Sequence, residues 1–527
     1  MGSLSSKHQS TGESRQIIPP KGNREIARNT ALNLINRAIL VPLGILAIPS
    51  ILHGMGIERF GLFSLTWTLL SYFAILDLGL GQATTKFMAT GLDVDKTYSL
   101  SSIFWTASFI MVGLGVVFGT ITMLLSPWLV NRILTPPENL IPESIRMFTL
   151  LAVSVPFILF NNSLRGALEA MQRFDLVNAV RTPYSAAIYL SPLLGYKIGW
   201  QVDKLSVLLL LIVIVTFLVY FILCVKVVPH IFQDVKIHTA LVRALLSYSK
   251  WVALSNFVAP MLVYLDRFLI SAILSVAVLP HYTAPYEGLT RLWMIPMSIT
   301  AALFPTLSRV GSNDNESRDA SWLITSGLKF ILLTLGPITV FITMFPKEIL
   351  TVWMGTEFAN ASSVVTQILA LGILVNSLGR LPATMFLGKG YPDIPAKLHL
   401  IELPFYIILT LICLNLWGIN GAAFTWTIRV GVDTLLLFII AKKHKDIRLN
   451  VINMHSIIAV ISLTGMILFG ILIRNVIHGP GWFYQALFFL VMMVVYTWIG
   501  WFKILDKKEQ AYLSKFLMKL NPKKITS

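Results

Sequence analysis

Charge is what this chain has least of. Asp, Glu, Lys and Arg make up only 13% of its 527 residues, against 55% hydrophobic, and the mean hydropathy is +0.74. A soluble domain carries about 25% charged residues, so a soluble enzyme or binding domain cannot account for the bulk of the chain. Cysteine is nearly absent. Cys224 and Cys413 both fall in apolar runs, which excludes a disulfide framework and leaves them as packing residues. No GxxxxGK[ST] loop occurs, so direct driving by ATP is not expected. No His/Cys cluster has metal-ligand spacing, and neither a metal nor a cofactor is expected. Large polar connections are lacking too, which counts against a membrane glycan polymerase or ligase with a catalytic outer loop. No enzyme chemistry is expected.

What is present is a succession of apolar runs long enough to cross about 30 Å of hydrocarbon. They cover 28–50, 60–83, 100–126, 146–168, 180–200, 206–228, 247–273, 282–306, 322–345, 362–386, 397–417, 419–441, 453–473 and 482–502. The expected fold is therefore an all-α polytopic membrane protein of about fourteen transmembrane helices. Residues 1–27 are polar and basic, with no cleavage site after a short apolar core, and read as a retained cytoplasmic tail. The positive-inside rule tests the topology. With the amino terminus inside, roughly 29 of the 42 basic residues fall on the cytoplasmic side and about 6 outside. Both termini are then cytoplasmic. The net charge of +17 follows from this retention and needs no nucleic-acid partner.

Weak internal repetition divides the chain. Asn36 and Pro42 in the first span find counterparts in Asn256 and Pro260 in the seventh, and NNSLRGALEAMQRFDL near the fourth matches NSLGRLPATMFLGKGYPDI near the tenth. The offset is about 215–222 residues, the mark of parallel repeats with a site between them. The expected units are 28–228 and 247–441, two pseudo-repeated six-helix bundles around a central cavity. A cytoplasmic interfacial linker, 229–246, joins them. Two extra helices (453–502) and an amphipathic basic tail (503–527), suited to a membrane surface or to a neighbouring helix, follow.

Charges inside spans mark function, because each costs about 2.5–3.5 kcal/mol at the bilayer centre. The cations are Arg37, Arg291, Arg380 and Arg429; the acids are Asp77, Asp266, Glu287, Glu402 and Asp433. Arg37 has no acidic neighbour within a turn. Glu287 with Arg291, and Arg429 with Asp433, stand four residues apart, so each could be a self-neutralised pair. Asp266 and Arg267 point apart near the outer end of their span and are expected to bond neighbouring helices. Arg37, Arg291, Arg429 and Arg380 are the candidate anion-binding residues. Asn36, Asn161, Asn256 and Asn376 are candidates for sugar hydroxyls, although asparagines also bond between helices. Asp433, Glu287, Asp77 and Glu402 are candidates for ion coupling or for tuning the arginines.

The segment GIERFGLFSLTWTLLSYFAILDLGLGQATTKFMA resembles the second-span region of Wzx-type oligosaccharide flippases, in the multidrug/oligosaccharidyl-lipid/polysaccharide exporter superfamily. DRFLISAILSVAVLPHYTAPYEGLTRLWMIPMSITAALFPTLSR resembles the family's seventh and eighth spans. FLGKGYPDIPAKLHLIELPFY and GINGAAFTWTIRVGVDTLLL resemble its tenth to twelfth. The resemblance implies export of a polyprenyl-pyrophosphate-linked oligosaccharide across a bacterial inner membrane for surface polysaccharide synthesis. H+ or Na+ is the expected coupling ion. It implies a monomer in contact with membrane lipids and with other polysaccharide-assembly proteins. A drug/cation antiporter or a peptidoglycan-precursor flippase of the same superfamily is the alternative.

Overall fold

The computed structural model describes residues 46–73, 76–90, 98–309, 314–389, 391–444, 454–476, 482–511 and 514. Among them the chain is helical, with no strand. The helices are α1 (Leu46–Met55), α2 (Ile57–Phe73), α3 (Leu80–Thr90), α4 (Leu100–Leu129), α5 (Ile141–Ala170), α6 (Phe174–Lys197), α7 (Val202–Val227) and α8 (Thr239–Ile273). They continue with α9 (Pro280–Thr290), α10 (Met294–Arg309), α11 (Asp314–Met344), α12 (Pro346–Met354), α13 (Thr356–Gly388), α14 (Asp393–Lys443), α15 (Met454–Val476) and α16 (Trp482–Ile499). By length and composition seven helical stretches can each cross a membrane. The molecule is an all-α polytopic membrane protein.

Irregular backbone inside a span must satisfy its own polar groups, and two places show how. Between α2 and α3 the chain turns through Leu78 (φ 53°) and Gly79 (φ 76°). Buried Asp77 caps the new helix, its carboxylate accepting from the Gly79 amide at 2.9 Å and the Gly81 amide at 3.3 Å. A capping carboxylate at a helix start is stabilising. Asp77, expected in a charge network, therefore has a local structural task. In α14 the continuous helix reverses at Gly418, whose φ of 57° and ψ of −140° only glycine adopts readily. Beyond that bend Glu402 faces Arg429 and His399 faces Asp433, the register of an antiparallel pair.

The buried apolar side chains fall into three clusters. The first joins both repeats. It takes in Phe63 on α2, Leu151 on α5, Leu209 on α7, Leu262 on α8, Leu369 on α13 and Trp426 on α14. The other two are smaller. One is built from α3, α4, α5, α6 and α7, with Leu241 at the start of α8, around Phe104 and Leu168. The other is built from α11, α13, α14, α15 and α16 around Ile331, Phe386 and Tyr496. One core thus joins the repeats, reaching from Phe63 to Leu80, Ala83 and Leu245, and α3 packs on α8.

Of the amphipathic tail, residues 506–511 dock on α11. Asp506 and Glu509 form a reciprocal cap: the Glu509 amide donates to Asp506 Oδ1 and the Asp506 amide to Glu509 Oε2, each at 2.8 Å. Buried Lys329 of α11 donates to both Glu509 oxygens at 3.1 and 3.0 Å, and Trp322 Nε1 donates to Asp506 at 3.1 Å.

Candidate functional site

Between the repeats lies a cavity of about 310 Å³, walled by Trp67 and Leu70 of α2, Tyr184, Ser185, Ile188 and Tyr189 of α6, Tyr264 and Arg267 of α8, and Glu287 of α9. Its polar centre is assembled by the α8–α9 hairpin. Arg267 stands six residues before the end of α8 and Glu287 seven after the start of α9. At 1.5 Å per residue both lie about 10 Å from that turn and meet side by side.

Arg267 is buried, with 2% of its side chain exposed. Its Nη2 donates to Glu287 Oε1 at 2.8 Å and its Nη1 to Thr68 Oγ1 of the opposite repeat at 3.0 Å. The guanidinium is sandwiched between the Tyr264 and Tyr286 rings, 4.9 and 5.2 Å from their centroids. Cation–π contacts of this kind strengthen when desolvated. Arg267 Nε finds no hydrogen-bond partner among the described residues. Asp266, adjacent in sequence, points away from the cavity: it is fully buried and accepts from the Tyr282 hydroxyl and the Arg267 amide.

Arg291 completes the group. Its Nη2 lies 3.6 Å from Glu287 Oε2 and donates to the Tyr189 hydroxyl, again across the repeats, at 2.5 Å. Two guanidiniums therefore share one carboxylate, and each also reaches into the other half of the molecule. Aromatic contacts of Tyr72 with Tyr264 and Phe268 reinforce the crossing, and Trp67 packs on Tyr189 within the amino-terminal repeat.

A second network lies within the carboxy-terminal repeat. Arg429 Nη1 is 3.5 Å from Glu402 Oε2 and its guanidinium stands over the Tyr406 ring. His399 Nε2 is 3.5 Å from Asp433 Oδ1. The carboxyls of Glu402 and Asp433 are neighbours, and Asp266 lies within reach of the Arg429 charge. Both Glu402 oxygens lack hydrogen-bond partners among the described residues.

The candidate residues fall into different places. Glu287 and Arg291 come together, as their spacing suggested, but Arg267 joins them and is the more buried cation. Its charge was visible in the sequence; the turn of α8 that aims it at the cavity was not. Tyr189, Tyr264 and Thr68 carried no sequence signal. Arg429 and Asp433, also four residues apart, part company, because the reversal at Gly418 offers each a closer partner on the returning helix. Neither lines the cavity. Arg380 stacks on Trp293, 4.6 Å from its centroid, inside the carboxy-terminal repeat. Asn161 on α5 has a buried carbonyl oxygen with no partner among the described residues. Asn376 is half-buried on α13. Arg37 and Asn36 lie outside the described residues, as does the side chain of Asn256 on α8.

Against known proteins, residues 26–310 match the sequence profile of the family described as "Polysaccharide biosynthesis protein". A Shigella flexneri protein described as "Putative O-antigen transporter" is 25% identical over 419 residues, 78% of this chain and 96% of that protein. Among solved structures, the lipid II flippase MurJ in an inward closed conformation superposes with a TM-score of 0.66 at 15% identity, covering 90% of this chain and 98% of the other. An inward-facing multidrug resistance MATE transporter gives a TM-score of 0.64 at 16% identity, covering 82% and 98%. These two likenesses concern the fold.

Proposed function

Because the chain belongs to the polysaccharide biosynthesis protein family, we propose that it flips a lipid-linked oligosaccharide, carried on a polyprenyl diphosphate, from the inner to the outer leaflet of a bacterial inner membrane. The observation that carries this reading is the two-sidedness of α9. One face puts Glu287 into the polar cavity. Pro285, Gly288 and Leu289 line a far larger apolar groove of about 1160 Å³, shared with Phe341 of α11, Phe345 just beyond it, and Leu490 and Met493 of α16. A head group in the cavity and a hydrocarbon chain in the groove would be adjacent across a single helix.

In this reading Arg267 and Arg291 hold the diphosphate by charge-assisted, bidentate hydrogen bonds, and Arg37 of the first span adds a third cation. Trp67, Tyr184, Tyr189 and Tyr264 offer amphipathic walls to the first sugars. The asparagines of the equivalent helices serve sugars farther from the lipid. Glu402 and Asp433, with His399 and Arg429, form the pair suited to bind and release a coupling H+ or Na+. A drug/cation antiporter fits less well, since buried cations at the cavity would repel its substrate.

The test is reconstitution with a lipid diphosphate carrying a labelled oligosaccharide. Transfer between leaflets is expected to need an ion gradient and to fall at least tenfold in Arg267→Met and Arg291→Met, a loss of about 1.4 kcal/mol or more at the transition state. Deleting the gene in the host should cause the full-length lipid-linked unit to accumulate, readable by mass spectrometry. Accumulation of an unfinished unit would instead point to an enzyme of assembly.

A further inference from the structure

We propose that Glu287 is an internal stand-in for the transported anion: it holds Arg267 and Arg291 until a diphosphate displaces it, and it takes up a proton when displaced. This rests on the reading of the cavity as the seat of a diphosphate head group.

The geometry is that of a competitor. The two oxygens of Glu287 are divided between two guanidiniums, at 2.8 Å from Arg267 and 3.6 Å from Arg291, as two phosphoryl oxygens would be. Glu287 lines the cavity and is 23% exposed, so a ligand can reach the place it occupies. Asp266 cannot compete in the same way. Its carboxylate is turned behind Arg267, fully buried and bonded to Tyr282.

Charge balance supplies the proton. Arg267, Arg291 and ionised Glu287 carry a formal +1 between them. A diphosphate diester brings −2, which would leave a net negative charge in a partly desolvated site. Neutral Glu287 restores balance, two guanidiniums against two phosphoryl charges, and the side chain can then leave without carrying an unpaired charge. The ionisable and charged groups facing Glu287 are Tyr264 and Arg267 from α8 and Tyr184 and Tyr189 from α6, with Asp266 of α8 and Tyr72 of α2 close to Arg267. Tyr286 and Arg291 face it from its own stretch, and Arg380 of α13 and Arg429 of α14 lie behind Tyr286 and Asp266. Displacement has a mechanical consequence. The same guanidiniums bond Thr68 and Tyr189 of the opposite repeat, so drawing them onto a diphosphate loosens two ties between the halves.

The probe is a synthetic diphosphate diester with farnesyl on one side and N-acetylglucosamine on the other, a head group with no proton to lose near neutrality. Its binding to the purified full-length chain is measured by calorimetry in buffers of different ionisation enthalpy. Wild type is expected to bind more tightly as pH falls from about 8 to about 6, with net proton uptake. Glu287→Gln is expected to bind about tenfold more tightly than wild type at the higher pH and to lose both the pH dependence and the uptake. Equal or weaker binding by Glu287→Gln overturns the proposal while leaving the diphosphate site intact. If that variant does not fold, wild type decides alone, because binding without proton uptake overturns it as well. If neither protein binds the probe, the diphosphate reading and the role of Glu287 fall together.

Discussion

At the scale of single residues, Arg267 is the side chain on which the site turns. It is buried, stacked between two tyrosines and bonded to both halves of the molecule. A planar guanidinium can make these contacts together; an ammonium cannot. Arg267→Lys is therefore expected to lose transport nearly as fully as Arg267→Met at equal membrane abundance, and near-normal transport in the lysine variant would show that charge alone suffices. Tyr282 is predicted to matter for stability. Its hydroxyl is one of two groups holding the buried Asp266 carboxylate. Tyr282→Phe should lower stability by about 1–3 kcal/mol, measured as earlier thermal unfolding in detergent.

Among elements, the contact between the tail and α11 carries the clearest consequence. Lys329, with 2% of its side chain exposed, is matched by Glu509 and, more distantly, by Asp506. Removing one partner of a buried pair strands the other's charge at about 3–5 kcal/mol, whereas replacing both by apolar groups is close to neutral. Lys329→Met and Glu509→Leu should each destabilise the protein, and the double variant should recover most of the loss. Additive damage would show that the pair is not the clamp. Acid acts here as well. Burial pushes the Asp506 carboxyl up, but hydrogen bonds from the Glu509 amide and Trp322 and the charge of Lys329 outweigh it and hold it below its ordinary value. A carboxyl with a lowered folded value contributes stability above its unfolded pKa and loses it as pH falls through the folded one. The Asp506 contact should thus persist near pH 4, about the ordinary aspartate value, and weaken only in stronger acid. Trp322 fluorescence would report the change.

For the whole molecule, the division of apolar packing marks where the repeats join. One continuous core spans both, and two further cores lie beside it. The proposed alternating access would part the two repeats between α2 and α8, where Tyr72 meets Tyr264 and Phe268. Cysteines at Tyr72 and Phe268 joined by a short reducible cross-linker should arrest transport, and reduction should restore it. Undiminished transport in the linked protein would rule out separation along this seam.

The amino-acid sequence by itself determined the membrane class, the all-helical fold and the cations within apolar runs. Those follow from the length of apolar runs and the energy of burying charge, both local along the chain. Its spacing also announced Glu287 with Arg291, because neighbours one turn apart need no tertiary contact to meet. Only the tertiary structure decided that Arg267 belongs with them, that Arg429 turns to Glu402 instead of Asp433, and that Tyr189 and Thr68 receive the guanidiniums. Each of those choices depends on which face a helix presents and where a hairpin reverses. Residues far apart in sequence set such things through packing, and no periodicity along one helix records them.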